Sequence, residues 1–128
     1  MADRVGPSSP VKKILIVDDD PTIRAVLKEI LHAHRYAVVE AEDGRQALEL
    51  LHKVSVDLII TDRSMPNMDG LELLKRLRDE NRDIPSLMIS AYGEERLWAE
   101  AIGLGVADYI LKPFSSESVM NVVKKKLP

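Results

Sequence analysis

Five short apolar runs punctuate the chain, each followed by a segment of helical spacing. The runs are KILIV from Lys13, AVVEA from Ala37, VDLIIT from Val56, PSLMIS from Pro85 and ADYIL from Ala107. Short runs rich in β-branched and large apolar residues, bounded by turn residues, read as buried strands. In the segments after them the apolar residues recur every three or four positions, the mark of a helix with one buried face. The first groups Ile23, Val26, Leu27, Ile30 and Leu31; the second, Ala47, Leu48, Leu50 and Leu51; the third, Leu71, Leu73, Leu74 and Leu77. The fourth carries Leu97, Trp98, Ala101 and Ile102, and the last Val119, Met120, Val122 and Val123. Strands alternating with helices over short connections predict an α/β fold with a parallel sheet covered on both faces. Right-handed crossovers make it a doubly wound five-stranded parallel sheet, a (βα)5 flavodoxin-like three-layer sandwich.

In such a sheet ligands bind beyond the carboxyl ends of the strands. The first strand ends there in Asp18, Asp19 and Asp20, the third in Asp62 and the fourth in Ser90, and the fifth runs into Lys112-Pro113. Distant positions therefore converge on one edge as a carboxylate cluster, a hydroxyl and an ammonium. Crowded carboxylates raise one another's pKa and cost stability, and a bound divalent cation removes the conflict. All-oxygen ligation suits Mg²⁺. A cation, a lysine and a hydroxyl around a carboxylate form an electrostatic clamp for phosphoryl transfer, with aspartate as nucleophile.

Each residue also has a plainer use. Asp20-Pro21 is an ordinary helix start, aspartate as N-cap and proline in the first turn, which leaves Asp18 and Asp19 as the candidate ligands. Asp62 alone is compatible with a turn, Ser90 with a cap and Lys112-Pro113 with a loop. Their coincidence on four strand ends of one edge is what argues for a site.

Composition narrows the class without naming a function. The 128 residues fit one domain, 45% hydrophobic and 30% charged, with net charge -3 and pI about 5.6. That balance gives no sign of direct nucleic-acid binding. The absence of cysteine removes disulfides, thiol catalysis and cysteine metal sites, and fits a cytoplasmic setting. No apolar run nears the roughly 20 residues of a membrane span. The polar start MADRVGPSSP has two prolines and no apolar leader core, so residues 1–10 are expected to be a flexible lead, with residues 11–127 the domain.

The stretches ILIVDDDPTIR, VDLIITDRSMPNMDGLELLKRLR, IPSLMISAYG and GVADYILKPF together resemble the receiver domain of two-component response regulators, over about residues 11–127. The resemblance implies that Asp62 accepts a phosphoryl group from a histidine kinase or phosphotransfer protein. It implies that Asp18 and Asp19 hold Mg²⁺ (or Mn²⁺), helped by the Asp62 carboxylate and the main-chain carbonyl of Ser64. Lys112 is then the lysine that pairs with the phosphoryl oxygens, and Pro113 the proline after it, often on a cis bond. Ser90 is the hydroxyl that follows the phosphoryl group on switching, and Tyr109 the aromatic whose rotamer reports the state. Pro66, Asp69 and Gly70 belong to the loop leading into the third helix. Ser64 and Tyr92 occupy positions that in the family tune the phosphoryl lifetime, and Arg63 is unusually bulky beside the acceptor. Such domains act through the face built by the fourth helix, fifth strand and fifth helix, where an output partner or a homodimer contact is expected. Trp98 and Ile102 form the candidate apolar pair on that face.

Two other readings use the same residues. One is a receiver that docks without phosphorylation, although such proteins usually lack part of the acidic or lysine set that is complete here. The other resembles haloacid-dehalogenase-type phosphatases, with Asp18, Asp20 and Thr22 as the Asp-x-Asp-x-Thr start and Ser90 and Lys112 as its later groups. That reading needs an acidic pair after the lysine, where only Glu117 stands, and leaves TDRSMPNMDG without a role. His32, His34 and His52 are expected on solvated surface, and the lysines of VVKKKLP in the last turn of a helix, where they complement the dipole.

Overall fold

The computed structural model describes residues 11–91, 98–103 and 108–128. The lead at 1–10, Tyr92, Leu97, Leu104 and the start of the fifth run at Ala107 lie outside them, as do the side chains of Trp98 and Ala101. In chain order the elements are β1 (Lys13–Val17), α1 (Pro21–Ala33), β2 (Ala37–Ala41), α2 (Gly44–Leu51) and β3 (Leu58–Asp62). They continue with α3 (Gly70–Asp79), β4 (Ser86–Ser90), α4 (Trp98–Gly103), β5 (Asp108–Leu111) and α5 (Ser116–Lys126). The strands form one parallel sheet in the order β2-β1-β3-β4-β5. The chain winds outward in both directions from β1, so the strand order reverses between β1 and β3, and a crevice opens there above the carboxyl ends.

The two faces of the sheet follow from strand alternation. Ile14 and Ile16 of β1, Leu58 and Ile60 of β3, Leu87 and Ile89 of β4 and Ile110 of β5 point to one side, under α1 and α5. Leu15, Val17, Ile59 and Met88 point to the other, under α2 and α3, and Tyr109 packs against that side. β1, β3 and β4 are buried on both faces, so their sequences are continuously apolar rather than alternating. β2 is an edge strand and only Ala41 of it is fully buried. The third strand begins two residues later than its apolar run and reaches one further, so Asp62 is itself the last strand residue.

The helical faces are narrower than their apolar residues suggest. In α1 only Leu27 and Leu31 are buried, and Val26 is 43% exposed although it shares the apolar spacing. One turn brings two adjacent positions to the sheet and tilts the third away. Leu71, Leu73, Leu74 and Leu77 of α3 and Val119, Met120, Val122 and Val123 of α5 are all buried. Ile102 of α4 is 65% exposed. Arg78 Nη1 of α3 donates to the Gly103 carbonyl at 2.9 Å, which ties the end of α4 to α3. His32, His34 and His52 are exposed, and Lys124, Lys125 and Lys126 occupy the last turn of α5. Among the described residues no helix is long and apolar enough to cross a membrane.

Candidate functional site

At the end of β1 nearly every polar group of Asp18 is committed. Its N–H donates to the Ala41 carbonyl at 3.1 Å, and its carbonyl accepts from Arg24 Nη1 at 2.6 Å. Its Oδ1 accepts the Asp20 N–H at 2.8 Å. Only Oδ2 remains: it is buried, has no hydrogen-bond partner among the described residues and lies 3.8 Å from Lys112 Nζ. Asp19 beside it is exposed. Asp20 is the N-cap of α1 and accepts the Thr22 N–H at 2.8 Å, with Pro21 opening the helix. One oxygen of the Asp20 carboxylate is thereby committed to the start of α1.

Asp62 reaches the same place from β3. The loop after it, residues 63–69, is clamped on both sides by helix starts. Arg63 N–H donates to the Ile89 carbonyl at 2.8 Å, and the Arg63 carbonyl accepts the Gly70 N–H at 3.0 Å. Gly70 lies so close that a Cβ there would strike the Asp62 carbonyl oxygen. Gly44, at the start of α2, donates to the Met68 carbonyl at 3.1 Å, and a Cβ on it would fall 2.8 Å from that oxygen. Met68 is buried, and Asn67, in the left-handed region at φ 66°, donates from Nδ2 to Asp43 Oδ2 at 2.8 Å. Pro66 and Ser64 are exposed on this loop. Arg63 Nη1 sits 4.0 Å from Asp69 Oδ2, and its Nε is buried without a hydrogen-bond partner among the described residues.

Asp69 caps α3 by accepting the Glu72 N–H at 2.9 Å. Replacing it with alanine removes that acceptor, and Asp69→Ala is expected to lose about 1 kcal/mol in urea denaturation. An unchanged midpoint would mean that the cap contributes nothing.

β4 and β5 supply the remaining groups. Ser90 ends β4, fully buried, with Oγ donating to the Ala91 carbonyl at 3.3 Å. Lys112 follows β5, its N–H donating to the Ser90 carbonyl at 2.9 Å, and its peptide bond to Pro113 is cis. Its Nζ lies 3.3 Å from Asp62 Oδ1, so one ammonium bridges Asp62 and Asp18. Tyr109 is half-buried beside the α2–α3 core.

Electrostatics at the site are under strain. Burial, and then the neighbouring Asp18 charge, push the Asp62 carboxyl up to about 6 against the pull of Lys112. Burial also raises Asp18, opposed by the Asp20 N–H and by Lys112. Asp18 and Asp62 are 1% and 6% exposed, so water screens neither well. One carboxylate oxygen from each of Asp18, Asp19 and Asp62 lies within 4.8 Å of the others. An all-oxygen set with one orphaned buried oxygen fits a hard divalent cation, whose charge would relieve the repulsion.

Comparison with known proteins places the chain in a family. The family model for the response regulator receiver domain matches residues 14–124. Sporulation initiation phosphotransferase F of Bacillus subtilis (strain 168) is 38% identical over 117 residues, covering 91% of this chain and 94% of that protein. Chemotaxis protein CheY of the same organism is 39% identical over 116 residues, covering 90% of this chain and 97% of that protein. The crystal structure of Vibrio cholerae chemotaxis protein CheY4 superposes with a TM-score of 0.85 at 31% identity, covering 91% of this chain and 98% of the other. The chain belongs to the response regulator receiver family, the phosphoacceptor domains of two-component signal transduction.

Of the groups that the sequence motifs named, Asp18, Asp19, Asp62 and Lys112 lie together here, and Ser90 ends β4 beside the strand of Asp62. The motifs did not single out Arg24, whose bond to the Asp18 carbonyl spans six residues along the chain and has no motif of its own. Nor did they single out Gly44 and Asn67. An Asn-Met-Asp-Gly run signals a turn, but only the packing of α2 shows what the turn leans on.

Proposed function

We propose that Asp62 is the phosphoacceptor of this receiver, and that Asp18, Asp19, Asp62 and the Ser64 carbonyl hold the Mg²⁺ (or Mn²⁺) that the reaction needs. The carrying observation is the bridge of Lys112 between two buried carboxylates, at 3.3 Å from Asp62 and 3.8 Å from Asp18. Asp62 Oδ attacks the phosphorus of a phosphohistidine on a sensor kinase or phosphotransfer protein. The N–P bond breaks, the O–P bond forms, and the imidazole leaves as the neutral base after protonation. Lys112 turns from the Asp62 carboxylate to the transferred oxygens, where its charge is better used. The bound cation supplies charge neutralisation for those oxygens. Hydrolysis of the aspartyl phosphate on the same residues ends the signal.

Ser90 and Tyr109 form the switch. The phosphoryl group brings acceptors and roughly -2 charge. Ser90 Oγ gives up the weak 3.3 Å bond to the Ala91 carbonyl for one to the phosphoryl group. Tyr109 then turns inward. Pro66, Asp69, Gly70 and the cis Lys112-Pro113 bond hold the loops in register. The output is read on α4, β5 and α5 by a partner or a second copy, with the exposed Ile102, and Trp98 four positions before it in sequence, as contacts. The domain spans residues 11–127 and works in the cytoplasm, where kinases of this class present their phosphohistidine. Incubation with a small phosphodonor and Mg²⁺, followed by intact mass, is expected to add one phosphoryl group to the wild type and none to Asp62→Asn. Equal gain in both proteins would refute the assignment.

A further inference from the structure

We infer that Arg24 is a positioning residue for the cation site: anchored by Glu40, it locks the Asp18–Asp19 peptide so that Asp18 presents a single oxygen to the cation. The inference rests on the cation reading above. Arg24 Nη1 reaches the Asp18 carbonyl at 2.6 Å, a charge-assisted bond to the peptide that joins the two acids. With the Asp18 N–H held by Ala41 and Oδ1 by the Asp20 N–H, the guanidinium closes the last rotational freedom of that turn. Oδ2 is left on the side of Lys112, whose Nζ lies 3.8 Å away. The guanidinium is itself fixed, since Arg24 Nε donates to Glu40 Oε1 at 3.2 Å. Glu40 Oε2 is taken by Lys28 Nζ at 2.7 Å. The Lys28 hydrogen bond, with Arg24 adding to it against a burial cost, holds the Glu40 carboxyl below the usual range. The anchor therefore stays ionised wherever the cation binds.

Glu40 stands opposite Ile16 in the β1–β2 register, so the anchor is built into the sheet rather than carried on a loop. A lysine cannot replace the arginine, because only a guanidinium fork serves a carboxylate and a carbonyl at once.

Charge alone and positioning make opposite forecasts. Removing a cation near the site should tighten Mg²⁺ if only charge matters, and weaken it if Arg24 holds the turn. Calorimetric titration of Mg²⁺ into wild type and Arg24→Ala is expected to show about tenfold weaker binding in the variant. Labelling by a small phosphodonor should need about tenfold more Mg²⁺ for half-maximal rate, with the rate at saturating Mg²⁺ nearly unchanged. A merely structural role would lower the melting temperature without moving either Mg²⁺ constant. Arg24→Lys, which keeps the charge and loses the guanidinium fork, is expected to weaken Mg²⁺ in the same direction, where charge alone forecasts no change, and decides the question if Arg24→Ala does not fold. Unchanged or tighter Mg²⁺ binding in the folded variant overturns this inference alone. Failure of the wild type to bind Mg²⁺ overturns the cation reading and this inference together.

Discussion

Asp62→Asn is expected to be more stable than the wild type at neutral pH, as well as unable to take up phosphate. In the folded protein burial and the Asp18 charge lift the Asp62 carboxyl from its ordinary 3.8 to about 6. The folded state therefore holds the Asp62 proton more tightly than the unfolded chain does. Below pH 3.8 both states are protonated and the site carries no penalty from this group. Between 3.8 and about 6 stability falls as pH rises, and above about 6 the full penalty is present. Two pH units correspond to roughly 3 kcal/mol, so a gain of about 1–3 kcal/mol is expected for the asparagine variant at pH 7.5. Asparagine keeps the volume and removes the buried charge, and Lys112 retains Asp18 as partner. Urea denaturation without Mg²⁺ at pH 7.5 and pH 4 checks the sign: a clear advantage at the first and a small one at the second. A less stable variant at pH 7.5 would show that Asp62 is not a strained carboxylate. Added Mg²⁺ should narrow the gap, because it stabilises the wild-type fold by binding it.

A single methyl group at position 70 is expected to do damage that its size does not suggest. The Cβ of an alanine there would strike the Asp62 carbonyl oxygen and stand 3.2 Å from Arg63 Cα. Both neighbours are backbone, so no side chain can swing aside, and either the start of α3 or the end of β3 must move. Gly70→Ala is expected to lose about 3 kcal/mol in spite of the helix preference of alanine. It should also slow phosphodonor labelling at least tenfold, because the displaced atoms carry the acceptor, and small misplacements of reacting groups cost rate heavily. Gly103→Ala is the control. Among the described residues a Cβ there meets nothing within 4 Å, and that variant should match the wild type in both measurements. If Gly70→Ala behaved like Gly103→Ala, the close approach of α3 to the acceptor strand would be wrong.

The architecture was legible because its signals are local. Continuous apolar runs at β1, β3 and β4 and leucines at helical spacing in α3 state their own burial. Their alternation leaves few topologies open. The reactive ends were legible for the same reason: a polar residue directly after an apolar strand must emerge at the edge of the sheet. Val26 shows the limit. Its spacing fits the buried face of α1, yet it is 43% exposed, because how much of a stripe the sheet covers depends on the tilt of the helix.

What the chain settles alone is which groups arrive at the carboxyl edge and that they belong to a receiver. Pattern and motif suffice for that, since strand order and residue type are set along the chain. How the two acids of the first strand divide their work needed the tertiary structure. Asp18 is buried with one orphaned oxygen while Asp19 is exposed, although the two are adjacent and chemically identical. The difference comes from β2, whose Ala41 carbonyl takes the Asp18 N–H, and from Arg24, held in place by Glu40 of the same strand. The placement of Lys112 between Asp18 and Asp62 was likewise decided by packing, which joins groups that the sequence holds 94 and 50 positions apart. Electrostatic contacts across a sheet edge depend on distances in space, and only the folded chain sets those.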